Sequence, residues 1–257
     1  VTANRQIDER KRGLEELIKT TEADLAKLIE PVRERLLEER KKNSTNQKPV
    51  NLKPYAAWEF NGDLKSTVGN LPLKSSGNVT FKGGQVVLNR GFLESPKLPI
   101  DLKAKTLEVW FSIPNLDQRG GGVMGTQGPG DFFDTIVLGE RQNRHWISGS
   151  NGFARTLDFP GSTPETAVNQ PIHLAMVYLE DGTTLLYRNG VPYGKPFRRN
   201  RATFPKNQTS IIFGLRHKPA GGNKYLNVSI DKAHLYNRPL NAEEVAASAS
   251  GNNLFIT

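Results

Sequence analysis

PIHLAMVYLEDGTTLLYRNGVPYG, residues 171–194, holds two runs of apolar, aromatic and β-branched residues divided by short turn signals. IHLAMVYL and TTLLYRN have the composition of strands. Asp181–Gly182 between them predicts a tight hairpin, and Asn189–Gly190 predicts the next turn, because both dipeptides accept the left-handed backbone that hairpin turns require. The same texture recurs on either side: YAAWEF from Tyr55, QVVLN from Gln85, KTLEVWFSI from Lys105, GGVMGTQ from Gly121, DTIVLGE from Asp134, SIIFGL from Ser210 and LNVSIDKAHLYN from Leu226. In KTLEVWFSI, Leu107, Val109 and Phe111 alternate onto one face. One helix is expected here, LNAEEVAASA, with Asn241 as N-cap and Glu244 three residues on. Short strands with regularly spaced turns and no strand–helix alternation predict a mainly β protein, a jelly-roll β-sandwich.

The texture changes near residue 45. Residues 1–48 read as a charged amphipathic helical segment, and residues 49–257 as the sandwich, with a polar, Pro-containing linker at 43–54. Ile7, Leu14, Leu17, Ile18, Leu25, Leu28, Ile29, Val32, Leu36 and Leu37 form one apolar stripe at helical spacing. Pro31 either kinks this α-helical arm, giving a kinked coiled-coil helix, or starts the second helix of a hairpin. The stripe needs a partner: the sandwich, another part of a parent protein, or a second copy through helix-mediated self-association.

The 257 residues include no cysteine, which excludes disulfides, a thiolate nucleophile and Cys-ligated metals. No apolar run reaches the length of a membrane span, so membrane insertion is not expected. Lys and Arg number 35 against 26 Asp and Glu, a net charge of +9. Residues 1–48 hold 12 of the basic and 10 of the acidic residues, so seven of the nine net charges lie in the sandwich. They concentrate in KPFRRNRATFPK, where Lys195, Arg198, Arg199 and Arg201 form a candidate anion-binding strip. Phe197 and Phe204, interleaved with them, either contribute to that strip or anchor it in the core. Without a nucleic-acid fold signature, nucleic acid is not the expected partner.

Four segments in order resemble the laminin-G-like branch of the concanavalin A-like lectin/glucanase superfamily. They are TLEVWFSI with its Trp110, the 171–194 segment with His173, Tyr187, Asn189 and Gly190, then SIIFGL, and IDKAHLYNRPLNAEEVAA. The resemblance implies a concanavalin A-like jelly roll with Trp110 buried. A narrower resemblance, carried by DQRGGGVMGTQ, FFDTIVLGERQNRHWISGSNGFART and YRNGVPYGKPFR, is to the laminin-G-like insert of planctomycete cytochrome c-type multidomain proteins. It implies a module of a larger extracytoplasmic protein, periplasmic or at the cell surface, with the haem domain outside this chain.

Glycosidases of this superfamily need paired carboxylates on a strand, and no such pattern occurs in the sandwich. The four His residues lack metal-hydrolase spacing. Gly120–Gly122 is not followed by the residues of a phosphate loop and reads as a flexible or tightly turning loop. His173 reads as a strand residue satisfied by a hydrogen bond. No catalytic residue is therefore assigned. The densest collection of polar residues runs from Arg119 to Arg155. Trp146 beside Arg144, Asn151, Asp134 and Arg155 offers an aromatic face and planar polar groups suited to a sugar, with Arg119, Gln127 and Glu140 nearby and Tyr187 and Arg188 assisting. The alternative is that Trp146 is core and these charges pair with one another. Calcium, the superfamily's usual ion, is a possible structural cofactor, held by Glu59 and Asp231 on the first and last strands or by Asp131 and Asp134. The leading expectation is a non-catalytic recognition module for carbohydrate. A structural or protein-interaction domain packing on the parent protein is the alternative, and a glycoside hydrolase relative comes third.

Overall fold

The computed structural model describes residues 5–17, 20, 21, 24, 27 and 52–251. The chain separates into two compact units, Val1–Pro49 and Val50–Thr257. In the first, the described residues are helical, and Ile7, Leu14 and Leu17 are exposed. Arg5 and Glu9 approach at 3.9 Å along its surface. Pro31 and the later part of the apolar stripe lie outside the described residues, as does most of the linker.

The second unit contains thirteen strands: β1 (Ala56–Trp58), β2 (Lys74–Lys82), β3 (Gln85–Glu94), β4 (Lys105–Ser112), β5 (Gly121–Gln127), β6 (Phe133–Leu138), β7 (Trp146–Ser150), β8 (Ile172–Tyr178), β9 (Thr183–Arg188), β10 (Val191–Pro192), β11 (Phe197–Arg198), β12 (Ser210–Phe213) and β13 (Val228–Tyr236). Hydrogen bonds link them antiparallel in the order β10-β9-β8-β4-β13-β3-β12-β5-β6-β7, with β1 on β13, β2 on β3 and β11 on β9. The path folds on itself. Phe111 of β4 packs edge-on against Trp146 of β7, ring centroids 5.4 Å apart, although the two strands are six places apart in the order. The turnover is at β13, which meets β3 only through Val228–Ile230. One layer is therefore β10-β9-β8-β4-β13-β1 and the other β2-β3-β12-β5-β6-β7, the two-layer jelly-roll arrangement.

The predicted alternation fills the space between the layers. Leu107, Val109 and Phe111 of β4 meet Ile136 and Leu138 of β6 in one apolar core. A second, smaller cluster lies outside it, where Tyr187, Val177 and Tyr236 pack under the C-terminal helix Ala242–Ala249 through Val245. That helix has the predicted capping box: the Glu244 backbone N–H donates to Asn241 Oδ1 at 2.9 Å, and the Asn241 N–H donates back to Glu244 Oε2.

Two local expectations change. Trp110 is half-buried rather than buried, because its parity on β4 is that of Glu108 and opposite to Leu107 and Phe111. Its ring lies against His173, His234 and the Lys232 ammonium. The glycine run is not a loop: only Gly120 turns, with φ +86°, while Gly121 and Gly122 belong to buried strand β5. A Cβ on Gly122 would collide with Thr135 and with the Arg216 backbone, so the glycine permits close strand approach.

Candidate functional site

The polar centre of the molecule begins with a lysine on a core-facing position. Lys105 shares the parity of Leu107, so alternation sends it between the layers, where it is 1% exposed. An ammonium there needs an opposite charge. Asp134, on β6 with the inward parity of Ile136, supplies it, with Lys105 Nζ donating to Oδ2 at 2.7 Å. Arg155, just beyond the short 3₁₀ turn Asn151–Phe153, donates from Nε to the other oxygen at 3.0 Å. Its Nη2 donates to both the Phe133 carbonyl and Asn151 Oδ1, and its guanidinium lies over Phe132. The Lys105 ammonium also sits 4.0 Å from the centre of the Tyr178 ring and 4.4 Å from that of Phe204. Burial pulls the Lys105 pKa down, and the Asp134 charge opposes that pull. Burial raises the Tyr178 hydroxyl well above the ordinary phenol range, and Asp134 adds to the rise.

This cluster floors a small, shallow cleft that opens to solvent. Its mouth is formed by Lys103, by the β8–β9 hairpin and by residues 199–202. The hairpin is tighter than its sequence neighbours would allow without Gly182. With φ +86°, a side chain there would be strained, and a Cβ would run into the Arg199 carbonyl. Phe197 and Phe204 are buried on either side of the 198–203 segment, and the Arg199 N–H donates to the Gly182 carbonyl. Arg199 and Arg201 are thereby held at the rim beside Thr183, Thr184 and Asn200. Lys103, Arg199 and Arg201 are exposed and have no carboxylate within ion-pair distance among the described residues.

The structure thus joins parts of two predicted regions, Asp134 and Arg155 from one and Arg199 and Arg201 from the other. Arg198 instead lies outside, its Nε donating to the Asp181 carbonyl at 2.8 Å, and Lys195 is exposed elsewhere on the loop. The remaining members of the 119–155 collection do not converge as a sugar site. Trp146 is completely buried and offers no face to a ligand; its Nε1–H donates to the buried Glu165 carboxylate at 2.9 Å. Arg188 takes the same carboxylate with two hydrogen bonds, and Tyr187 is buried beneath the C-terminal helix, so neither assists a site at the loops. Gln127 is buried and holds the 128–132 turn by donating to the Gly128 and Gly130 carbonyls. Glu140 is ion-paired to Arg216, and Arg119 donates to the Gly139 carbonyl. Arg144 has a left-handed backbone, φ +62°, and its buried Nε lacks a hydrogen-bond partner.

Both oxygens of Asp134 meet cations, which removes it from a calcium pair with Asp131. Strands β1 and β13 do lie side by side, and Asp231 falls at a bulge between Ile230 and Lys232. Among the described residues, no group of three or more His, Cys, Asp or Glu converges as metal ligands.

A second buried ion cluster lies on the opposite face of β4. Glu108 is fully buried, with His173 Nε2 2.9 Å from Oε1, His234 Nδ1 3.1 Å from Oε2, and the Tyr236 hydroxyl donating to Oε2 at 3.0 Å. Burial alone would raise the Glu108 pKa; the hydrogen bonds from the two histidines outweigh it and hold the carboxyl at about 2. His173 is hydrogen-bonded within a strand, as its sequence suggested.

Residues 89–246, more than half of the chain, match the family model of the concanavalin A-like lectin/glucanases superfamily. The chain belongs to this superfamily. Several solved structures share this fold. Domain 4 of AbnA, a GH43 extracellular arabinanase from Geobacillus stearothermophilus solved with arabinotriose, is 20% identical, with a TM-score of 0.63 over 77% of this chain and 98% of that one. Trypanosoma rangeli sialidase in complex with 2,3-difluorosialic acid is 14% identical, with a TM-score of 0.56 over 88% of this chain and 40% of that one. The receptor-binding domain of botulinum neurotoxin type G is 15% identical, with a TM-score of 0.55 over 78% of this chain and 51% of that one. At these identities the likeness concerns the fold. No curated protein matches the chain.

Proposed function

We propose that the sandwich is a non-catalytic carbohydrate-recognition module and that it binds sugar in the cleft over Lys105, Asp134 and Arg155. The observation carrying this reading is the composition of the cleft: a shallow opening where cations, the Thr183 hydroxyl and the Asn200 amide stand together, in a lectin-type fold. A similar fold in the arabinanase domain was solved with an arabinose oligosaccharide, which supports a sugar ligand for this one. The non-catalytic part of the reading is supported by the lining. Its carboxylate, Asp134, is ion-paired on both oxygens, whereas glycoside hydrolysis calls for two carboxylates on either side of the bond.

The module would serve a larger extracytoplasmic protein, as its resemblance to the planctomycete inserts implies. A structural calcium at Glu59 and Asp231 is part of the proposal, and calcium titration followed by thermal denaturation tests it: the melting temperature rises if the ion binds there and stays constant if it does not.

A glycan array on the purified chain tests the main reading. Asn200, exposed at the rim, is suited to a blocking substitution. The wild type is expected to bind one glycan class, and Asn200→Trp to lose that binding while its melting temperature is unchanged. Binding that survives the substitution places the site elsewhere.

A second reading is favoured by one observation: Ile7, Leu14 and Leu17 are exposed on the N-terminal helix at spacings that put them on one face. The helical unit would then dock on other domains of the parent or on a second copy. Sedimentation equilibrium on the whole chain distinguishes a monomer from a self-associating species.

A further inference from the structure

The charges of the cleft do not balance. Lys105 and Arg155 share one carboxylate, Asp134, and three further cations stand at the mouth without an acidic partner among the described residues. Elsewhere on the sandwich, four arginines pair with carboxylates, Arg141 with Asp158, Arg188 with Glu165, Arg216 with Glu140 and Arg238 with Glu244, while Arg90, Arg119 and Arg144 do not but are not gathered at one opening. The cleft also lacks the usual means of gripping a neutral sugar. Its aromatic lining residue, Tyr178, is 8% exposed, and its ring is covered by the Lys105 ammonium. Stacking of sugar C–H groups on a ring is therefore not offered here, and recognition falls to charge and hydrogen bonds.

We infer that the cleft selects acidic glycans, with the carboxylate or sulfate of one sugar unit received by Arg199, Arg201 and Lys103 while neighbouring hydroxyls meet Thr183 and Asn200. The inference rests on the carbohydrate reading above and narrows it to a class. Guanidinium groups suit it because their planar forks bind carboxylate and sulfate oxygens in pairs. Lys105 and Arg155 act as positioning residues beneath the site. Held by Asp134, two cations against one carboxylate leave net positive charge at the floor, less screened by salt than charge at the surface. Thr183 comes from the hairpin and Asn200 from the rim segment, so both walls of the cleft can engage one ligand.

The test is titration calorimetry on the full chain at low and moderate salt with four probes: a uronate tetrasaccharide, a sulfated tetrasaccharide, a neutral tetrasaccharide and inorganic sulfate. At least one acidic oligosaccharide is expected to bind about tenfold or more tighter than the neutral one, the margin of a charge-assisted hydrogen bond. The better of the two acidic probes identifies the acid group. Arg199→Ala with Arg201→Ala, both exposed and so compatible with folding, is expected to erase that margin. Lys195→Ala, on the same loop but outside the cleft, is expected to leave it intact. Equal binding of neutral and acidic oligosaccharides would overturn the inference while leaving carbohydrate recognition standing. Inorganic sulfate binding as well as the sugars, or the margin surviving the double substitution, would overturn it too. If no oligosaccharide binds the folded chain, the carbohydrate reading fails along with it.

Discussion

Strand β4 carries two buried ion clusters three residues apart, and they differ in what lies above them. Lys105 points between the layers and, with Asp134 and Arg155, floors an open cleft. Glu108 points the other way and meets His173, His234 and Tyr236, beside the apolar cluster that Val245 of the C-terminal helix closes. Each places charge where hydrophobic residues would ordinarily sit, and in each the buried carboxylate has partners on both oxygens. The first has cationic excess and an entrance; the second has its carboxylate oxygens met by two imidazoles and a phenol under cover. Similar local chemistry thus reads as a site in one place and as architecture in the other. Access and unmatched charge decide between them, more than the residue types do.

Of the two carboxylates, Asp134 is expected to be the more costly to remove. Asp134→Ala leaves Lys105 and Arg155 facing each other in the interior, and is expected to cost about 4 kcal/mol of stability in chemical denaturation. Glu108→Gln should follow at about 3 kcal/mol, since it removes a buried carboxylate from two histidines, and it should leave glycan binding unchanged. The two substitutions should separate in their ligand response: loss at Asp134 alters binding in the refolded fraction, while loss at Glu108 does not.

Acid denaturation sharpens the contrast further. A carboxyl held at about 2 when folded, against 4.5 as its ordinary value, contributes stability that is fully present above pH 4.5 and is lost as the pH falls towards 2. Wild-type stability is expected to fall across that window, and Glu108→Gln to fall less steeply there. Equal slopes for the two proteins would remove Glu108 as the source. The smallest effect is at the cap. Asn241→Ala should destabilise by about 1 kcal/mol through the lost N-cap hydrogen bond, with no change at the cleft.

The fold was largely legible from residue pattern. The Asn189–Gly190 turn has both residues left-handed, φ +51° and +78°, as an Asn–Gly hairpin demands. The Asp181–Gly182 hairpin closes through Leu179 and Thr183, one residue wider than its dipeptide suggested. The site was legible only in fragments. Trp146 looked like a sugar platform because it stood among polar residues, but its inward parity on β7 put it against Phe111. Asp134, Arg155 and Asn151 do come together as grouped, but without Trp146 and Arg144, and the Lys105 partner of Asp134 comes from the other layer, a tertiary pairing that residue pattern does not display. Lys103 and Lys105 were missed, although one signal for Lys105 was present: it stands two residues before Leu107 on a strand whose odd positions face the core. A lysine at such a position requires a buried carboxylate, and Asp134 shares the inward parity of Ile136.

Ligand is expected to enter over Lys105 rather than at the loops around Trp146. Amide chemical-shift mapping during titration with the acidic oligosaccharide tests it most directly. The largest shifts are predicted at residues 181–184 and 199–202, with residues 144–146 and 241–248 unmoved. Shifts centred on residues 140–153, with the 181–184 hairpin silent, would contradict it.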